Sequence, residues 1–108
     1  MRSKSRKNTS FIKGEKALTD IENVARELDM RPNDLLRESL KTYLETRLLK
    51  IETEICQLTK KHEVKDIVEF DKKAREGLIP EEVGFEDFFR LDYLEAERDK
   101  INKILEEI

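Results

Sequence analysis

Few residues in this chain have the type and spacing that catalysis or metal binding needs. Cys56 and His62 are the only cysteine and histidine, so neither a tetrahedral zinc site nor a Glu-x-x-His di-iron site can be completed from these residue types. The glycines Gly14, Gly77 and Gly84 are isolated and form no phosphate-binding loop. The serines lack a G-x-S-x-G context, and carboxylate pairs are expected by chance among 25 acidic residues. We therefore predict a protein that is not an enzyme and needs no cofactor.

The charges are distributed unevenly along the chain. Residues 1–16 contain six basic residues and one acidic residue, a net charge of +5, whereas the whole chain carries −3. Such a basic segment can bind a polyanion, because Lys and Arg displace counterions from phosphates. The alternative is a solubilising tail that binds nothing.

Composition points to helices and to a cytoplasmic protein. Charged residues make up 44% of the 108 residues, with 3 Gly, 2 Pro and no Trp, which disfavours an all-β fold. No apolar run approaches the roughly 20 residues of a membrane span. The basic N-terminus is not followed by an apolar stretch, so we expect no secretory signal. The lone Cys56 excludes an internal disulfide and fits a reducing compartment.

Apolar spacing predicts two helices in the first part of the chain. Residues 15–28 carry apolar side chains at intervals of three and four, and residues 29–32 break this helix. Pro32 suits the first turn of a second helix, expected over 32–61. From Leu44 to Leu58 its apolar residues alternate in steps of four and three, as in a coiled-coil seam.

Two further helices are predicted in the acidic C-terminal region. Asp66 is expected to cap the third helix, with Glu69 three residues on, and Gly77 to end it. The fourth is expected from about Glu86 to the end of the chain. A strand is expected, if anywhere, over residues 7–12, where coil is the alternative.

The helix pair resembles a known family. Val24-Ala25-Arg26-Glu27-Leu28, the turn at Met30, and Leu35-Leu36-Arg37-Glu38-Ser39-Leu40 before Tyr43 resemble the two helices of ribbon-helix-helix regulators, which include CopG-like repressors and many antitoxins. The resemblance covers about a third of the chain, and Asp29 replaces the usual turn glycine. It implies a homodimer that binds double-stranded operator DNA through an N-terminal strand. The DNA contacts it implies, together with the basic segment, are Arg2, Lys4, Arg6, Lys7, Asn8, Ser10 and Lys13.

Dimerisation has an argument of its own. A unit of about 45 residues has too little core to bury its apolar stripes alone, so a second copy is expected to complete it. The residues predicted to dimerise are Val24, Leu28, Leu36, Leu40, Tyr43 and Leu44. The alternative is that residues 44–58 pair with residues 94–108 of the same chain as an antiparallel helical hairpin.

The C-terminal aromatic residues have two interpretations, a core or a partner surface. Residues 64–108 carry eight basic and fourteen acidic residues, a net charge of −6, which suits binding to a basic protein such as a toxin. The predicted partner contacts are Ile67, Phe70, Phe85, Phe88, Phe89 and Tyr93.

The predicted organisation has three parts. Residues 1–14 form a basic arm that includes a short strand or coil, and residues 15–62 form a dimerising helix pair with an extended second helix. Residues 63–108 form an acidic region that is expected to be a C-terminal helical hairpin. The predicted function is an antitoxin-like, DNA-binding regulator that neutralises a toxin. The alternative is a helical-hairpin interaction module that binds no nucleic acid.

Overall fold

A computed structural model describes the backbone of residues 9–108 and the side chains of residues 16–108. Within this range there are four helices: α1 (Thr9–Glu27), α2 (Pro32–His62), α3 (Ile67–Arg75) and α4 (Glu81–Glu107). The mainly helical class predicted from composition is confirmed. None of the helices in the described range is long and apolar enough to cross a membrane.

The N-terminal strand is absent wherever the backbone is described. Residues 9–12 belong to α1, and residues 7 and 8 lie outside the described residues. A strand exposes successive side chains on opposite faces, and the adjacent Phe11 and Ile12 do not fit a strand with one buried face. The short-strand prediction is therefore wrong over residues 9–12.

The turn between α1 and α2 uses a left-handed residue other than glycine. Asp29 has φ +57°, and the backbone N–H of Met30 donates to the Ala25 carbonyl at 2.8 Å. This bond closes the end of α1 in the manner of a Schellman motif, and Pro32 begins α2 with its φ suited to a first turn. The turn indicated by residues 29–32 is present.

The second part of α2 packs against α4 as an antiparallel hairpin. Ile51, Leu94 and Ile101 are buried together, and the apolar residues packed against them are Leu44, Leu48, Ile55, Leu58 and Leu105. Ion pairs join Arg47 to Glu97 and Glu54 to Arg90, so the numbering rises on one helix as it falls on the other. The four-three spacing of α2 thus serves an intrachain seam.

Helix α3 closes one end of this hairpin. Asp66 caps it by accepting a hydrogen bond from the Glu69 N–H at 2.9 Å, and Gly77, with φ +74°, follows its last turn. Phe70 is buried in a cluster with Val64, Ile79 and Leu91. Both end signals of α3 were readable from the sequence, because capping depends on neighbouring residues.

Helix α4 begins at Glu81, five residues before the predicted start at Glu86. Gly84 lies buried in the first turns of the helix. A β-carbon at Gly84 would lie 2.9 Å from the Ile79 Cγ2 methyl. The glycine therefore permits the close approach of α4 to the preceding link.

Replacing Gly84 by alanine is expected to lower the free energy of unfolding by about 1 kcal/mol, although alanine in a helix normally stabilises it by about that amount. The buried Ile79 branch must shift to admit the new methyl group. In an Ile79→Ala background the same substitution should become stabilising. Urea unfolding followed by circular dichroism measures the wild type, the two single variants and the double variant. If Gly84→Ala lowered the free energy of unfolding in the Ile79→Ala background as well, the close approach of Gly84 to Ile79 would be contradicted.

The chain divides into two compact units, residues 1–40 and residues 41–108. In the described part of the first unit, Ala25 alone is buried, while Ile21, Met30 and Leu35 are half-buried. The second unit contains the buried clusters around Phe70 and Leu94. Among the described side chains, those of residues 16–108, the buried clusters of large apolar residues lie in the second unit.

Candidate protein-interaction surfaces

Three aromatic side chains form an exposed row along the first half of α4. Phe85, Phe89 and Tyr93 are spaced four residues apart, which places them on one helix face, and they are 62%, 61% and 50% exposed. The rings of Phe85 and Phe89 are stacked, with centroids 6.0 Å apart and planes 8° from parallel. We call these three residues the aromatic row.

The aromatic row is connected to the core by one intermediate ring. Phe88 is half-buried and meets the fully buried Phe70 edge-on at 5.7 Å, and it meets Phe89 edge-on at 5.5 Å. The aromatic residues predicted as partner contacts are therefore found in two environments. Phe70 is a core residue, whereas Phe85 and Phe89 are exposed on the surface of the chain.

Acidic side chains share the exposed face of α4 with the aromatic row. Glu81, Glu82, Glu86 and Asp92 are all exposed, and their helical positions fall within about 100° of Phe85 at 100° per residue. In residues 16–108 none of the four has an ion-pair partner. The aromatic row thus has an acidic border.

The nearby Arg90 is occupied by another carboxylate. Its Nε and Nη2 donate to the two Glu54 oxygens at 2.6 and 2.8 Å, and its guanidinium carbon lies 5.6 Å from the Tyr93 ring centroid. The hydrogen bond from Arg90 lowers the pKa of Glu54 below its usual value. Because this bidentate pair joins α2 to α4, Arg90 is not available to neutralise the acidic border.

A second set of polar contacts supports α4 beneath the row. Asp87 Oδ2 lies 2.8 Å from Lys61 Nζ and 2.7 Å from His62 Nε2. The His62 ring in turn lies 4.6 Å from the Phe70 ring. Hydrogen bonding, first from Lys61 and then from His62, lowers the pKa of Asp87. These contacts attach the end of α2 to α4 close to the aromatic cluster.

Replacing Asp87 by asparagine is expected to lower the free energy of unfolding by about 1–2 kcal/mol at pH 7. The folded-state pKa of Asp87 is lowered, so its ionised form stabilises the fold above about pH 4, and this contribution is lost as the pH falls further. The difference between the wild type and the variant should therefore shrink towards pH 3. Denaturant unfolding at both pH values measures it.

Asp92→Asn is the matched control, because Asp92 has no ion-pair partner in the described residues. It should leave stability nearly unchanged at both pH values. Equal losses from the two substitutions would show that the contacts of Asp87 contribute nothing specific.

The described part of the first unit exposes aliphatic side chains. Five aliphatic residues are between 39% and 62% exposed; they are Leu18, Val24 and Leu28 on or directly after α1, and Leu36 and Leu40 on α2. We call these five residues the first-unit stripes. They contain four of the residues predicted to dimerise.

The other predicted residues are found in several environments. Tyr43 is exposed in the second unit, and Leu44 packs against the Ile51–Leu94–Ile101 cluster. Ile67 is half-buried, and its N–H donates to Glu95 at 3.0 Å. Of the predicted DNA contacts, Arg2, Lys4, Arg6, Lys7 and Asn8 lie outside the described residues. Ser10 and Lys13 are described only as backbone in α1.

Sequence reasoning missed the acidic border. The four unpaired acids were counted only within the net charge of the region, because a large set of acids does not show which members are paired. Their spacing relative to Phe85 and Phe89 on a helix starting at Glu81 was the available signal. The late predicted start of α4 at Glu86 hid it.

In the described part of the chain no group of three His, Cys, Asp or Glu side chains could hold a metal ion.

Comparison with known proteins relates the chain to one family. The family described as "Uncharacterized protein MJ0235 family" matches residues 9–108. "Uncharacterized protein MJ0235" of Methanocaldococcus jannaschii is 35% identical over 74 residues, which cover 68% of this chain and 90% of the relative. No solved structure matches the chain.

This family match corrects the resemblance to ribbon-helix-helix regulators, which is wrong. The resemblance rested on the apolar spacing of two consecutive helices, and any amphipathic helix pair shares much of that spacing. The described backbone is also helical over residues 9–12, where the resemblance to ribbon-helix-helix regulators implied part of a strand.

Proposed function

This chain belongs to the uncharacterized protein MJ0235 family, and we propose that it is a non-enzymatic protein-interaction module that pairs with a second copy through its first unit. The second unit, a helical hairpin closed by α3, then presents the exposed face of α4 to other proteins. The exposure of the first-unit stripes is the observation that carries the proposal.

The described side chains of the first unit, those of residues 16–40, do not form the core that a self-sufficient domain needs. In residues 16–40 the single buried side chain is that of Ala25, while the first-unit stripes remain in solvent. Burying a leucine or valine side chain stabilises a protein by about 1.5–3 kcal/mol. A second copy would bury both sets of stripes at once, because a two-fold interface brings the same surface of each partner together.

The charges of the first unit favour a second copy over a partner of opposite charge. Residues 16–40 carry four basic and six acidic residues, a nearly balanced set. Lys16 pairs with Asp20, and Arg31 pairs with Asp34, within this unit. In a two-fold dimer the same charged surface of each subunit faces the other. Because this surface carries both signs of charge, the repulsion between the two subunits is small.

Sedimentation equilibrium of the intact chain over a wide concentration range tests the proposal. We expect a dimer at micromolar concentration, with dissociation on dilution. A compact monomer at high micromolar concentration would overturn it, since the first-unit stripes would then be exposed in the working form of the protein.

Duplex DNA binding by the basic segment remains a prediction from charge alone, with six basic residues in residues 1–16. The antitoxin role depended on the ribbon-helix-helix resemblance, which is wrong, and it is not part of this proposal.

A further inference from the structure

The aromatic row is a rigid and uncovered surface. The opposite face of α4 is held by the buried residues Gly84, Leu91 and Leu94, so the row projects from a fixed helix. Three adjacent large rings, each at least half exposed, are unusual on a surface without a partner. Rigid aromatic side chains contribute disproportionately to binding energy at protein interfaces.

Surface pockets lie on both sides of the aromatic row. One of about 200 Å³ opens between α3 and α4, with the Phe85 and Phe89 rings among its walls and Ile79 and Gly84 in its lining. A more open groove of about 590 Å³ lies on the α2 side, lined by Leu58, Phe89 and Tyr93 among others. Phe89 therefore borders two depressions, into which side chains of a partner helix could fit on either side of the ring.

The charge around the row selects the partner. Residues 81–93 carry five acidic residues and one basic residue. Asp87 and Arg90 are paired with α2, which leaves the four acids of the border without partners in the described residues. A second copy would bring four more acids against these, and this repulsion opposes self-association through the row.

We infer that the aromatic row with its acidic border binds a cationic amphipathic helix of another protein. The apolar side of such a helix would pack over Phe85, Phe89 and Tyr93, as in other helix-in-groove complexes, and its Lys and Arg side chains would pair with the acidic border. This inference rests on the proposed role as an interaction module, and it names the class of partner for the second unit.

The test uses the intact protein and a labelled synthetic peptide of roughly five helical turns, with Leu at helical spacing and Lys elsewhere. A matched peptide carries Glu at every Lys position. Fluorescence anisotropy should give a dissociation constant for the Lys peptide at least about 30-fold below that for the Glu peptide, with strong salt dependence.

Substitutions in the protein locate the binding. Phe89→Ala should weaken binding of the Lys peptide by at least about 10-fold. The pair Glu82→Gln and Glu86→Gln should weaken binding and flatten its salt dependence. Val68→Ala is the control, since Val68 is an exposed apolar residue on α3 that lines neither pocket. It should leave the affinity for the Lys peptide unchanged.

Three outcomes would overturn the inference: equal affinity for the two peptides, equal effects of Phe89→Ala and Val68→Ala, or loss of self-association in Phe89→Ala. The last would show that a second copy covers the row. Sedimentation of the wild type separates the two proposals, because peptide binding to a monomeric chain would leave this inference intact while removing the proposed dimer.

Discussion

Replacing Phe70 by alanine is expected to lower the free energy of unfolding by about 3–5 kcal/mol. Phe70 is fully buried and contacts the rings of both His62 and Phe88, so its loss leaves a cavity where α2, α3 and α4 meet. A domain of this size is stable by only about 5–15 kcal/mol, so this loss is a large fraction of the total. Urea unfolding followed by circular dichroism measures the change.

Phe89→Ala provides the comparison for this prediction. The same atoms are removed from a residue on α4 instead of α3, but Phe89 is 61% exposed. Its removal should cost no more than about 1 kcal/mol, since little buried area is lost. Similar losses from Phe70→Ala and Phe89→Ala would mean that the aromatic residues form one core and that the row is not a free surface.

Introducing an aspartate at Leu28 is expected to raise the dissociation constant of the dimer by more than about 100-fold, or about 2.7 kcal/mol. Each subunit of a two-fold dimer would bring one carboxylate into the apolar contact, and removing these charges from water is costly. The fold of the single chain should persist, because Leu28 is more than half exposed there. Sedimentation measures association, and circular dichroism measures helix content.

Asn23→Asp is the matched control for this substitution. It adds the same charge on the opposite side of α1, beside Arg26, whose Nη1 lies 3.1 Å from the Asn23 side-chain oxygen. It should leave the dissociation constant within about threefold of the wild type, as expected for surface substitutions. If both aspartates weaken association equally, net charge rather than the first-unit stripes controls it.

The helix ends were predictable from the sequence to different degrees. Asp66, Gly77 and Pro32 act through their immediate neighbours, so their effects were readable without a fold. The sequence placed the start of α4 at about Glu86, whereas the helix begins at Glu81 and includes Gly84. The role of Gly84 depends on contact with Ile79, and only the folded chain brings the two together.

The candidate surfaces show the same division. The sequence placed Phe70, Phe85 and Phe89 among the predicted partner contacts. It left open whether the aromatic residues of the fourth helix form a core or a partner surface. The choice depends on which side of α4 faces α3, and on which acids find a base across the hairpin. Both depend on contacts between residues far apart in the chain, such as Glu54 with Arg90 and Lys61 with Asp87.

By itself the sequence determined that this protein is helical, where its turns fall, and that its apolar residues lie in stripes, because these properties depend on composition and short-range spacing. The tertiary structure decided which stripes are covered. It buried the stripe of α2 from Leu44 to Leu58 against α4, and it left the first-unit stripes and the aromatic row exposed. Periodicity marks an apolar face, but only the packing of distant segments determines whether the chain covers that face itself.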